Sequence, residues 1–191
     1  MPRFQFYLPT DADLTRIQRR AIDSREPIFL SGVPGTGKTV VSIKRLQNTA
    51  DKGKKGIIFT YGKLLRKTIE EKLENNPKMP VDNIHNWMWK SQGDGKRKYL
   101  DVMTKDENIN STIELLKSKG KIYDEILVDE GQDLSLNTYK ILKELTLGLS
   151  ISADNAQQIN NRNEATNEEK IIELFPSLRK FELDEIGRAH V

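Results

Sequence analysis

The sequence predicts an α/β fold in which a parallel sheet is flanked by helices on both faces. Short apolar runs rich in β-branched residues recur along the chain, and each is followed by a longer stretch with helical spacing. A glycine-rich segment, SGVPGTGKTV over residues 31–40, falls between the first such run and the first such stretch. Strands are expected at residues 28–30, 56–60, 81–84, 126–128, 149–153 and 180–183. The helices fall between them. Residues 39–47 place Val40, Ile43 and Leu46 on one face; residues 63–74 do the same with Leu64, Leu65, Ile69 and Leu73. Further helices are expected at 134–147 and 168–175. Two polar stretches interrupt the rhythm: 90–121, with GDG at 93–95, reads as an exposed insertion, and 160–169 reads as a loop.

Composition narrows the chemistry. The 191 residues suit one domain, and 31 Lys and Arg against 28 Asp and Glu leave a net charge of +3. With 36% hydrophobic and 31% charged residues, the chain can bury one core and stay soluble. It has no cysteine, which excludes disulfides, a cysteine zinc site, an iron-sulfur cluster and a thiol nucleophile. Two histidines, His85 and His190, are too few to build a histidine metal centre. No apolar run approaches the roughly 18 residues of a membrane span. The start, MPRFQFYLPT, lacks the cationic and apolar regions of a secretory signal, so a cytoplasmic location is expected.

Residues 32–39 fit the pattern GxxxxGKT, between an expected strand and an expected helix. This is a phosphate-binding loop by its physics. Glycines let the backbone curl until successive N–H groups point at phosphate oxygens, and the following helix adds the positive end of its dipole. Gly32, Pro34, Gly35, Thr36, Gly37, Lys38 and Thr39 would line a bound nucleotide, with Lys38 reaching the β and γ phosphates and the Thr39 hydroxyl on Mg2+. The alternative is a glycine-rich turn that binds nothing. Residues 126–133, ILVDEGQD, supply a second signal: an apolar strand that ends in acids. Asp129 is placed to hold Mg2+ through its waters, and Glu130 to act as general base toward an attacking water. The pair of motifs points to hydrolysis of a nucleoside triphosphate.

With these motifs in place, the chain resembles the superfamily 1 DNA and RNA helicases of the UvrD/Rep type. LTRIQRRAI (14–22) is similar to their Q motif, with Gln18 as the adenine-recognising glutamine; DEGQD is similar to their second motif, in which Gln132 and Asp133 connect to neighbouring motifs. SADNAQQI (152–159) is similar to the third, with Asp154 and Gln157 in the acid and glutamine positions and Ala153 where the family usually has glycine. IFTYGKLLRK (58–67) resembles motif Ia through Thr60, Tyr61 and Lys63, and VDNIHNWMWK (81–90) resembles motif Ib through His85, Asn86 and Trp87. The resemblance implies a RecA-like P-loop NTPase domain over residues 1–184, with ATP and Mg2+ as cofactors. Lys38, Asp129, Glu130 and Gln157 would act in catalysis, and single-stranded DNA or RNA would lie on the Ia and Ib residues.

It also implies a second RecA-like lobe, beyond this sequence, that delivers arginines across the cleft. Without them turnover falls by about 10³ to 10⁵, so the fragment alone is expected to be nearly inactive. The inserted subdomain of the bacterial repair members is reduced here to residues 90–121. The final IGRAHV (186–191) reads as a translated sequencing adapter, and 185–191 are expected not to belong to the natural protein. Two other readings stay open at this stage: a P-loop ATPase without helicase activity, and a nucleotide-gated binding module.

Overall fold

The computed structural model describes residues 8–60, 63–73, 79–84, 86–87, 118, 120–154 and 168–183. Within them six strands form one sheet: β1 (Ile28–Gly32), β2 (Gly56–Thr60), β3 (Val81–Asn83), β4 (Tyr123–Val128), β5 (Thr146–Ala153) and β6 (Arg179–Leu183). Their order is β3-β2-β4-β5-β1-β6, and every pairing is parallel. All strands therefore end at one edge, which carries Gly32, Thr60, Asn83, Val128, Ala153 and Leu183. In a parallel sheet this is the edge where ligands bind.

The helices are α1 (Arg16–Ile22), α2 (Lys38–Asp51), α3 (Lys63–Lys72), α4 (Leu136–Leu145) and α5 (Glu168–Leu174). The period-two alternation of a strand distributes them over two faces. Phe29, Ile57, Phe59, Ile126, Val128 and Ile151 share one buried cluster with Tyr139, Ile141, Leu142 and Leu145 of α4 and Ile171 of α5. Their sequence neighbours point the other way: Ile58 and Leu127 pack with Ile43 and Leu46 of α2 and Ile69 of α3. Ile28 and Leu30 pack with Val40 and Val41 of α2 and with Ala21 and Ile22 of α1. Burial on both faces is why these strands read as continuous apolar runs.

All six expected strands are present, and the differences lie at boundaries. Helix α2 begins one residue earlier than expected and continues to Asp51. The expected helix over 134–147 is shorter at both ends. Ser135 takes the N-cap by accepting a bond from the Thr138 backbone N–H at 3.2 Å. At the other end Thr146 is the C-cap of α4 and also the first residue of β5, so the strand starts three residues before the expected 149. Tertiary pairing decides this: Thr146 lies opposite Tyr123 of β4, and Ile122 N–H donates to the Leu145 carbonyl at 2.9 Å. Ile84 leaves β3 for a helical turn, because the Asn83 side chain accepts from Asn86 N–H at 3.3 Å.

Of the expected insertion over 90–121 only Ser118, Gly120 and Lys121 are among the described residues, and the loop before α5 and residues 185–191 lie outside them. Among the described residues no helix is long and apolar enough to cross a membrane.

Ile58 and Leu147 give the core a direct test. Ile58 is 0% exposed and Leu147 is 73% exposed. Ile58→Ala is expected to cost about 2–5 kcal/mol in urea unfolding, and Leu147→Ala about 0.5 kcal/mol or less.

Candidate functional site

The loop after β1 is shaped by close approach. Gly32 has φ +155°, and a Cβ there would stand 2.7 Å from the Leu183 carbonyl and 2.8 Å from Thr36 Oγ1. The loop closes on itself where the Thr36 hydroxyl donates to the Val33 carbonyl at 2.8 Å. Gly37, with φ +88°, is the N-cap of α2, and a Cβ there would meet Gln18 Nε2 at 2.6 Å. Helix α2 thus starts at Lys38 with its first N–H groups turned toward the loop, a position that favours an anion. Lys38 is 7% exposed, and its ammonium donates to the Gly32 carbonyl at 2.6 Å and the Val33 carbonyl at 3.1 Å. Its charge is therefore held at the mouth of the loop by neutral acceptors, which an anionic ligand outcompetes.

Gln18 reaches this loop from α1. Its Nε2 donates to the Thr36 carbonyl at 3.0 Å, and its Oε1 accepts from Thr15 N–H at 2.8 Å in a capping box. The side chain is 5% exposed and serves as a brace between helix start and loop.

Asp129 stands at the tip of β4, where its N–H donates to the Phe59 carbonyl at 2.9 Å. One carboxylate oxygen, Oδ2, accepts from Thr39 Oγ1 at 2.9 Å. The other, Oδ1, is buried with no hydrogen-bond partner. Burial pushes the carboxyl up to about 6 and the nearby Glu130 charge adds to this, while the Thr39 bond and Lys38 oppose it. An orphaned buried oxygen beside a threonine hydroxyl is the donor set of a hard divalent cation, so the residues present fit Mg2+.

Glu130 follows in the left-handed region, φ 57° and ψ 48°, and is the one non-glycine residue of positive φ among those described. That conformation costs of order 1–2 kcal/mol and turns the chain sharply after the strand. Its carboxylate accepts from Gln132 Nε2 at 2.7 Å, and Gln132 Oε1 accepts from Asp154 N–H at 3.1 Å. The turn is fastened from α4, where the buried Tyr139 hydroxyl donates to the Gly131 carbonyl at 2.7 Å. A Cβ on Gly131 would stand 2.6 Å from both Ile151 Cγ2 and the Tyr139 oxygen. Sequence reading did not single out Tyr139; the available signal was a phenol on the apolar face of α4, which needs a polar partner when buried.

A family model described as an AAA domain matches residues 18–161, from the Gln18 brace past the end of β5. The chain belongs to this AAA domain family. No curated protein matches it. Among solved structures the chain is similar to a Pif1 helicase from Candida albicans, with 16% identity and a TM-score of 0.56 over 91% of this chain and 40% of that one. It is also similar to an AMPPCP-bound DnaA from Aquifex aeolicus, with 18% identity and a TM-score of 0.47 over 88% of this chain and 45% of that one. This AAA domain has the α/β RecA-like P-loop NTPase fold, and it spans 40% of the length of the Pif1 helicase chain.

The remaining expected site residues of the AAA domain divide into three groups. Asp154 is 2% exposed and joined to the acidic turn through Gln132. Tyr61, His85 and Gln157 lie outside the described residues, as does the side chain of Lys63, which opens α3. Thr60, Asn86 and Trp87, expected at the nucleic-acid surface, lie where β2 and β3 end, and each is held there by protein contacts. Thr60 is 1% exposed, and Asn86 donates to Asp82 Oδ1 at 2.8 Å. Trp87 packs edge-on against Phe59 with ring centres 5.5 Å apart, and its indole N–H donates to the Tyr123 hydroxyl at 3.2 Å. Its ring is half-buried against the core and oriented by these two aromatic neighbours.

Asp129 sets a pH test with a definite sign. Its folded pKa of about 6 lies above the ordinary 3.8, so between these values the folded protein holds a proton that the unfolded chain has released. That stabilisation is present in acid and lost as pH rises through the window, costing up to roughly 3 kcal/mol once the group is ionised. Asp129→Asn is expected to stabilise the metal-free protein at pH 7.5, and far less at pH about 4, in urea unfolding. Equal effects at both pH values would contradict the assignment.

Proposed function

We propose that this chain is the first motor lobe of a superfamily 1 helicase or translocase of the UvrD/Rep type. In this reading it binds and hydrolyses ATP in step with single-stranded DNA or RNA. The observation that carries it is the contact between Thr39 and Asp129. Two residues ninety positions apart meet at 2.9 Å beside an unpartnered carboxylate oxygen, next to a loop whose lysine is held only by neutral carbonyls. A Pif1 helicase that shares the fold favours the motor reading over other P-loop enzymes.

Lys38 exchanges the Gly32 and Val33 carbonyls for the β and γ phosphate oxygens of ATP. Thr39 and Asp129 would hold Mg2+, which when bound would neutralise charge on the phosphates. Glu130 leaves Gln132 and takes a proton from the attacking water as general base. Gln132 links that carboxylate to the backbone at Asp154, and so to the segment that bears Gln157, through which the nucleic-acid surface would sense hydrolysis. Gln18 selects adenine through the N–H and lone pair its brace leaves free. Thr60, Tyr61, Lys63, His85, Asn86 and Trp87 would contact the nucleic-acid strand.

Calorimetric titration with Mg-ATP tests the site. Binding is expected for wild type and is expected to weaken about tenfold or more in Lys38→Ala. In the full-length protein, polynucleotide is expected to raise ATPase activity, and Glu130→Gln to retain binding while turnover drops by about 10²-fold or more. No uptake of Mg-ATP by folded wild type would defeat the reading. Intact binding without turnover in the full-length protein would favour a nucleotide-gated binding module instead.

A further inference from the structure

On α2, two turns beyond Lys38, Arg45 is 5% exposed and spends all three of its nitrogens. Nε and Nη2 donate to Glu125 Oε1 at 2.9 and 2.6 Å. Nη1 donates to the carbonyls of Ala21 at 2.8 Å and Ser24 at 2.9 Å, and Nη2 also reaches the Glu26 carbonyl at 3.3 Å. Glu125 on β4 is itself filled, by Thr49 Oγ1 at Oε2 and Ser150 Oγ at Oε1, each at 2.8 Å. A buried ion pair is weak evidence for stability, because apolar residues of similar volume often serve as well. Its physical effect is to fix geometry: one planar fork sets where three elements meet.

Those elements are the ones that carry the nucleotide groups. Gln18 is on α1, whose last turn holds Ala21; Lys38 and Thr39 open α2; Asp129 follows β4 four residues beyond Glu125. They do not depend on Arg45 equally. Helix α2 and strand β4 are held by their own core contacts, through Ile43, Leu46, Ile126 and Leu127. Helix α1 has seven residues, too short to persist by itself; it packs through Ala21 and Ile22 against α2, and the carbonyls of its C-terminal turn and of the following loop are gathered by Arg45.

We infer that Arg45 is a positioning residue for nucleobase selectivity. By clamping the end of α1 against α2 and Glu125, it holds the Gln18 carboxamide at the loop, about one helical turn from the Ala21 carbonyl that it bonds. Loosening the clamp relaxes the choice of adenine while leaving the grip on the triphosphate. This rests on the proposed ATP site and on Gln18 as its base-reading group.

The test uses this chain, wild type and Arg45→Lys, titrated by calorimetry with Mg-ATP, Mg-GTP and Mg-tripolyphosphate, the last having no base to read. Arg45→Lys keeps the charge and loses the fork. It is expected to lower the ATP-to-GTP preference about three- to tenfold, the weight of one hydrogen-bonded contact, with tripolyphosphate affinity changed by less than about twofold. Gln18→Ala is expected to give the same loss, and the double variant no more than either alone. If Arg45→Lys does not fold, Arg45→Met with Glu125→Gln removes both buried charges and gives the same comparison. An unchanged preference in a folded variant, or an equal fall for all three ligands, overturns the inference while the ATP site stands. Wild type that binds ATP and GTP alike also overturns it, and wild type that binds no Mg-ATP removes the site and the inference together.

Discussion

The hydrogen bond from Thr39 to Asp129 is the contact on which the site depends. It joins the first turn of α2 to the tip of β4, although β5 lies between β4 and β1, the strand that leads into the loop before α2. Only a sheet whose strands all run the same way brings those two ends to one edge. The apolar cores on both faces therefore have a chemical consequence: they set the pitch at which a hydroxyl and a buried carboxylate meet. The carboxylate gains one partner from this arrangement and lacks another, which leaves it strained toward protonation until a cation joins it.

The acidic turn carries a similar cost. Glu130 adopts a backbone conformation that side chains disfavour, and Gly131 is packed too closely for any side chain at all. Both are tolerated because Tyr139 and Gln132 fasten the turn on either side. Local strain held by surrounding bonds is common where a side chain must be aimed.

Much of this was legible in the sequence. Burial on both faces makes a parallel strand an apolar run, so all six strands could be read, and GxxxxGKT together with ILVDEGQD located Lys38, Thr39 and Asp129. The limits were set by tertiary contacts that no local pattern reports. Apolar periodicity continues through Thr146 and Leu147, so the helix looked longer; pairing with Tyr123 turns that stretch into strand. Trp87 has the chemistry of a base-stacking surface, and no local pattern reports that Phe59 and Tyr123 orient its half-buried ring. Nothing near Gln18 in sequence announces its bond to Thr36, and nothing near Arg45 announces the carbonyls it collects.

The junction of α4 and β5 has a mechanical meaning. Because Thr146 closes the helix and opens the strand, there is no slack segment between them to absorb motion. Helix α4 touches the acidic turn through Tyr139, and β5 runs up to Asp154, which is tied to that turn through Gln132. Helix, strand and turn form a braced triangle with one vertex beside the phosphate loop, where Asp129 meets Thr39, and no connecting loop loosens it.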